Sequence, residues 1–259
     1  MCRQSALSPE IENREGSKQS MKKIGRGLRR FRKVLWALNR IPTFVDNHGV
    51  LLPTKQPGIS EGIRKQIFFS DYEAKEVEIV SRRLESHDVV MEVGAGIGFL
   101  SALCAQRIGS ERVFAYEANP SLMPVIRTTH EANGVSPTVR NVLLAKGEGV
   151  RTFYVEDEFW ASSAVGGSSN AKAIEVRQAD LNTEIAAISP TFLIVDIEGG
   201  EIEFFATVDL SKVRKICVET HPGVLTDAQL SDMFRQIFAQ GFALDFSLIR
   251  KNVFYLYRP

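Results

Sequence analysis

Apolar residues first recur at helical spacing from Ile24, through Leu28, Phe31, Leu35 and Leu38, with a dense basic face opposite. Residues 1–20 before them are polar, mixed in charge and without period, and read as disordered. Gly49, Pro53, Pro57 and Gly58 then mark an irregular connector with room for one short hairpin. Beyond it the period switches repeatedly between helix and strand. Helix 72–85 leads into the strand "DVVMEV" (88–93), helix 99–108 and the strand "RVFAYEA" (112–118). Helix 121–133 precedes the strand "VRNVLLA" (139–145), and a less regular stretch, 153–170, precedes the strand "AIEVRQAD" (173–180). Helix 181–188, strand 191–197, helix 200–208, strand 215–220 and helix 227–240 follow, and the tail 242–259 reads as two strands around a turn at 250–252. Such alternation predicts an α/β fold, a mostly parallel sheet with helices on both faces. The chain divides into a leader (1–20), a basic amphipathic helix with connector (21–58) and one α/β domain (59–259).

Charge sharpens that division. The net charge is +1, but residues 21–40 hold eight Lys or Arg and no acid, and from Ile41 onward acids outnumber bases 28 to 21. The basic helix suits peripheral contact with an anionic membrane surface, and equally suits packing on the domain or a partner. The acidic body argues against a nucleic acid substrate. Cys2, Cys104 and Cys217 have neither paired nor metal-type spacing, which fits a reducing cytoplasm. No apolar run is long enough to span a bilayer, and "VLWAL" is too short for a signal peptide.

The chemistry gathers at "VVMEVGAGIGFLS" (89–101), three glycines within five residues at a strand-to-helix corner. Glycine there lets another molecule approach the main chain. A dinucleotide fingerprint requires its third glycine three residues after the second, where this chain has Phe99; Gly98 arrives one residue early. The pattern E-x-G-x-G-x-G, from Glu92 through Gly94 and Gly96 to Gly98, instead resembles the first motif of class I S-adenosylmethionine-dependent methyltransferases. Glu117 ends the next strand, where an acid can accept both hydroxyls of a ribose.

A narrower resemblance covers roughly residues 70–225. "DIEGGE" (196–201) and "ETHP" (219–222) are similar to the paired D-x-E-G-x-E and E-x-H-P elements of the FkbM-type methyltransferases. "YE" at Tyr72-Glu73, "EANP" (117–120), "ANG" (132–134) and "FWASSAV" (159–165) fit the same family. The resemblance implies a Rossmann-like class I methyltransferase fold, with a seven-stranded sheet and a C-terminal antiparallel hairpin. It also implies O-methylation of a sugar, glycan or other small natural-product hydroxyl. S-adenosylmethionine is the implied cofactor, held by Tyr72, Glu92, Gly94, Gly96, Phe99, Leu100, Glu117, Ala118, Asn119 and Asp196, with the Glu92 carboxylate orienting its ammonium group. The chain departs from the family at Glu92 and Gly96, where Asp and Asn are common, and at Ile194, where many members carry Lys.

Asp196 and Glu198 end one strand and Glu219 and His221 end the next, so the four can converge. Either a neutral His221 or Asp196 takes the acceptor's proton, with Glu198 orienting the acceptor or the base. The same groups could hold a divalent cation, though no spacing is diagnostic of a metal and none is assigned. Trp160, Ser162 and Ser163, beside a Gly-Ser loop, suit a lid over a sugar or a plain surface loop. A nicotinamide-dependent oxidoreductase and a non-catalytic membrane-attached scaffold are the competing readings.

Overall fold

The computed structural model describes residues 32–155 and 171–259. Residues 32–37 are helical (α1) and belong to a small unit ending at Thr43. A compact body runs from Phe44 to Pro259. It opens with the hairpin β1 (Phe44–Asn47) and β2 (Val50–Pro53), followed by α2 (Glu61–Phe69) and α3 (Ala74–Arg83). The sequence had placed this hairpin in the connector; here it is tied into the body. Asn47 Nδ2 donates to Ile67 O at 3.0 Å, and Leu51 N donates to Asn133 Oδ1 at 2.8 Å.

Next come β3 (Val90–Val93), α4 (Phe99–Ile108), β4 (Val113–Tyr116), α5 (Met123–Ala132), β5 (Thr138–Arg140), β6 (Leu143–Ala145), β7 (Gly149–Val155) and β8 (Lys172–Asp180). The chain then forms α6 (Leu181–Ile188), β9 (Phe192–Val195), α7 (Glu201–Thr207), β10 (Lys215–Glu219), α8 (Asp227–Ala239), β11 (Ala243–Leu244) and β12 (Val253–Tyr257). The main sheet has seven strands in the order β11-β12-β10-β9-β3-β4-β5. Pairings from β10 through β9, β3 and β4 to β5 are parallel, and β12 runs antiparallel to both β10 and β11. The expected α/β architecture, closing hairpin included, is therefore present.

β3 and β9 are four-residue strands, apolar except for Glu92, and buried along their whole length, as central parallel strands must be. Met91, Val93, Leu193, Val195, Ile216 and Val218 face Phe204 and Phe205 of α7 and Met233 and Ile237 of α8. The alternate positions, Val90 and Glu92 among them, face α3 and α4. Each fully buried Phe or Leu contributes about 1.5–3 kcal/mol. Connections lead from β3 outward to β4 and β5, and from β9 in the opposite direction to β10. The reversal between β3 and β9 opens a crevice at their carboxyl ends, where ligands sit in open α/β sheets.

Four local expectations need correction. The run 139–145 is two strands, because Asn141 leaves the sheet to donate through Nδ2 to Glu117 O (2.7 Å) and Ala118 O (3.2 Å), and β6 then pairs with β8 in a separate three-stranded sheet. β7, at the edge of the stretch read as irregular, pairs antiparallel with β8 from Gly149↔Gln178 to Val155↔Lys172. Helix α2 was not anticipated; its N-cap is Ser60, whose side chain accepts from Ile63 N. Helix α3 begins at Ala74 rather than Tyr72, since Glu73 takes a left-handed conformation (φ +45°) as its N-cap.

Candidate active site

The glycine corner joins β3 to α4. Gly94 has φ +90°, and a Cβ there would lie 1.7 Å from the carbonyl oxygen of Asp196, so only glycine fits this meeting of the β3 and β9 ends. Gly94 N and Ala95 N both donate to Tyr116 O, at 2.9 and 3.0 Å. Across the turn, Glu117 is buried and accepts one backbone amide on each carboxylate oxygen, Gly96 N at 2.9 Å and Asn119 N at 2.7 Å. Burial pushes its carboxyl up to about 7, against the lowering effect of the Asn119 and Gly96 amides. Each oxygen keeps a second lone pair for a hydroxyl.

A cavity of about 460 Å³ opens beside this corner. Of the residues the sequence assigned, Tyr72, Gly94, Gly96, Glu117, Ala118, Asn119, Asp196, Glu198 and His221 line it. Glu92, Phe99 and Leu100 do not: all three are buried behind the turn, where Phe99 stacks on Tyr72 with ring centroids 6.2 Å apart. They support the wall from inside the fold. The residues assigned to a lid, Trp160, Ser162 and Ser163 within 159–165, lie outside the described residues.

Glu92 stands opposite Ile194 in the parallel register of β3 and β9, on the same face of the sheet. A lysine there, as in many relatives of the family described above, would bring a cation to this carboxyl; with Ile194 it has none. One oxygen, Oε2, has no partner, and burial raises the carboxyl to about 8 despite its hydrogen bond with Ser101. Because the folded value lies above the unfolded one, the native state holds the extra proton from the usual carboxylate range up to about pH 8, and stability falls as pH rises through that window. Glu92→Gln removes the penalty. Chemical denaturation at about pH 8 should find the variant more stable than wild type by on the order of 3 kcal/mol, with the gap closing towards about pH 5.

At the ends of β9 and β10 the predicted convergence occurs. His221 Nδ1 is hydrogen-bonded to Glu201 Oε1, a carboxylate with no solvent exposure. Its Nε2 lies 3.1 Å from Glu198 Oε2 and 3.5 Å from Asp196 Oδ1. Burial acts to lower the imidazole's pKa, but the Glu201 hydrogen bond and the charges of Asp196 and Glu198 prevail and raise it to about 9. The expected neutral histidine is thus an imidazolium near pH 7. Burial, with Glu219 and Glu198 nearby, lifts Asp196 well above the usual carboxylate range. Burial likewise brings Glu198 to about 7 against the charge of His221. Glu198 holds φ +48°, a strained left-handed conformation of the kind that marks functional positions. Glu201 was not among the assigned residues, although it is the last letter of D-x-E-G-x-E.

The facing wall comes from α3. Lys75 Nζ donates to Glu219 Oε1 at 3.2 Å and to Asn252 Oδ1 at 2.8 Å, tying α3 to β10 and the closing hairpin. Asp196, Glu219 and His221 each bring one ligand atom within 4.8 Å of the others, a spacing that could gather a divalent cation. Glu219 Oε1, however, already receives Lys75 and Asn252, so a second cation would meet Lys75 there. Overall the lining holds eight acidic side chains against Lys75, Arg151 and His221, and this excess suits a ligand carrying positive charge.

The cavity fits S-adenosylmethionine on these grounds. Its volume lies within the range of small-molecule sites. Glu117 presents free lone pairs, Asn119 Nδ2 is a buried donor without a partner, and the acidic wall complements a sulfonium. A family model described as the methyltransferase FkbM domain matches residues 92–244, more than half of the chain. The small-subunit ribosomal RNA methyltransferase A of Rubrobacter xylanophilus is 36% identical over 89 residues, 34% of this chain. The match spans 30% of that curated relative's length. Among solved structures, a ribosomal protein L11 methylase from Lactobacillus delbrueckii subsp. bulgaricus gives a TM-score of 0.45 at 11% identity, covering 73% of this chain and 80% of that one. A precorrin-6y C5,15-methyltransferase from Geobacter metallireducens gives 0.45 at 16% identity, covering 80% and 100%.

Proposed function

The chain belongs to the FkbM methyltransferase domain family, and from that membership we propose that it transfers a methyl group from S-adenosylmethionine to a hydroxyl of a sugar, glycan or other small natural-product acceptor. The observation that carries the reading is the convergence of Asp196, Glu198 and His221 on the cavity that Glu117 and the glycine corner also line. S-adenosylmethionine supplies a methyl group activated by its sulfonium, so the protein's task is alignment and removal of a proton. Glu117 holds the ribose diol, Asn119 Nδ2 offers the nucleoside a donor, and Tyr72 and the glycine corner shape the amino-acid end. Acids at the carboxyl ends of β9 and β10 then work on the acceptor.

A hydroxyl needs a base at its proton. His221, charged and held by Glu201, directs Nε2 at Glu198 Oε2, 3.1 Å away, while Asp196 Oδ1, 3.5 Å away, has no hydrogen-bond partner. Asp196 receives the proton, its raised pKa making it a stronger base than an exposed aspartate. Glu198 orients the acceptor. The rate should therefore rise with pH through about 7 as the Glu198 carboxyl loses its proton, and fall above about 9 as His221 loses its own. A profile of kcat/KM between about pH 5.5 and pH 10 checks this bell shape, and Glu198→Gln should displace its acidic limb.

The acidic lining suits a neutral or cationic acceptor better than a polyanion, which weighs against carrying over the RNA substrate named for the Rubrobacter relative. No helix among the described residues is long and apolar enough to cross a membrane. We assign peripheral membrane contact to the basic segment 21–40. Radiolabel transfer from S-adenosylmethionine to a panel of glycosides and polyketide alcohols tests the activity. Incorporation into hydroxyls supports the reading, whereas incorporation into RNA alone, or release of S-adenosylhomocysteine with none of these acceptors, contradicts it.

A further inference from the structure

We propose that Glu73 and Glu76 form a subsite for an alkylammonium group; the inference rests on reading the cavity as a methyltransferase site. Both line the cavity at the start of α3, Glu73 as its N-cap and Glu76 in its first turn. Glu76 is 3% exposed and its Oε1 has no hydrogen-bond partner. Glu73 Oε2 is buried and equally without one. A buried acceptor left without a donor is costly, and two together mark a place for a ligand that brings donors.

The protein's own cations are directed elsewhere. Lys75 acts on Glu76 through its charge, but its ammonium donates to Glu219 and Asn252. Arg151 makes a bidentate pair with Glu203, both bonds 2.7 Å. Acidic groups surround the two carboxyls: Asp196 and Glu92 act on Glu73, and Glu219 faces Glu76. Burial first, then these neighbours, raises both carboxyls, Glu76 to about 7. A sulfonium could relieve the charge but has no proton to donate. Tyr72 hydrogen-bonds Glu73 and Glu219 shares a hydrogen bond with Glu76, so one oxygen of each remains unpartnered, and an ammonium brings N–H donors for both as well as the charge. This also replaces Glu92, which the sequence assigned to the ammonium and which the fold places behind the cavity wall.

Two ligands carry such a group, the amino-acid end of the cofactor and an amino-substituted acceptor. Titration calorimetry on wild type, Glu73→Gln and Glu76→Gln separates them, using S-adenosylhomocysteine and 5′-methylthioadenosine, which lacks the amino-acid end. Initial rates with a 2-amino glycoside and its neutral parent complete the comparison. A loss of at least tenfold for S-adenosylhomocysteine, with 5′-methylthioadenosine within twofold of wild type, supports the subsite and assigns it to the cofactor. Unchanged binding of both nucleosides, with a tenfold drop in the amino-to-neutral ratio of kcat/KM, supports it and assigns it to the acceptor. Equal losses for both nucleosides, or no change in any measure, overturn it. Wild-type protein that binds neither nucleoside would sink the cofactor reading and the subsite with it.

Discussion

Glu117→Ala should weaken S-adenosylhomocysteine binding by a hundredfold or more while leaving the sheet folded. Each carboxylate oxygen already accepts a backbone amide, so the side chain is fixed before a ligand arrives and can spend its remaining lone pairs on two hydroxyls. Hydrogen bonds to a charged group contribute roughly 1.5–3 kcal/mol each, so losing two is about 3–6 kcal/mol, or two to four decades in affinity. Alanine also strips Gly96 N and Asn119 N of their acceptor, which loosens the corner proposed to hold the adenosyl group. Glu117→Gln should recover only part of the loss, because its NH₂ must oppose one of the two amides. Calorimetry reads the affinity, and a thermal melt confirms that the variant is folded.

Asp196→Asn should lower kcat by about 10²–10⁴, the range for losing a positioned base, with S-adenosylhomocysteine affinity within about threefold of wild type. His221→Ala should fall in the same range for a different reason. It removes the charge between Glu198 and Asp196 and leaves the buried Glu201 without its partner, so three carboxylates face one another uncompensated. In the proposed mechanism the two residues act on one proton, so the double variant should be little worse than either single one. Rates that multiplied independently would place the two in separate steps. His221→Ala should also pull the basic limb of the pH profile away from about 9, a change that loss of packing alone would not produce.

Much of this was legible in the chain itself, because the glycine corner, the acid about twenty residues on and the strand-end motifs each depend on short-range spacing. Glu117, Asp196, Glu198 and His221 lie at strand ends that the alternation of elements already aligns. What escaped depends on contacts between distant segments. Glu92 is read as a ligand residue from its motif position, yet the pleat turns it towards α4 and away from the cavity. The charge of His221 follows from three carboxylates gathered from the β9 end and α7, which together outweigh its burial. Glu76 belongs to no motif; its burial beside Glu219 appears only when α3 is laid beside β10. β7 escaped because its strand character depends on pairing with β8, from Gly149↔Gln178 to Val155↔Lys172, far along the chain.

The account stands on where the adenosyl group lies. A crystal structure of the protein with S-adenosylhomocysteine tests this most directly. The expected result is a ribose whose two hydroxyls are within hydrogen-bond distance of Glu117, with the sulfur turned towards Asp196, Glu198 and His221. A ligand bound elsewhere, or a ribose that makes no contact with Glu117, would contradict it.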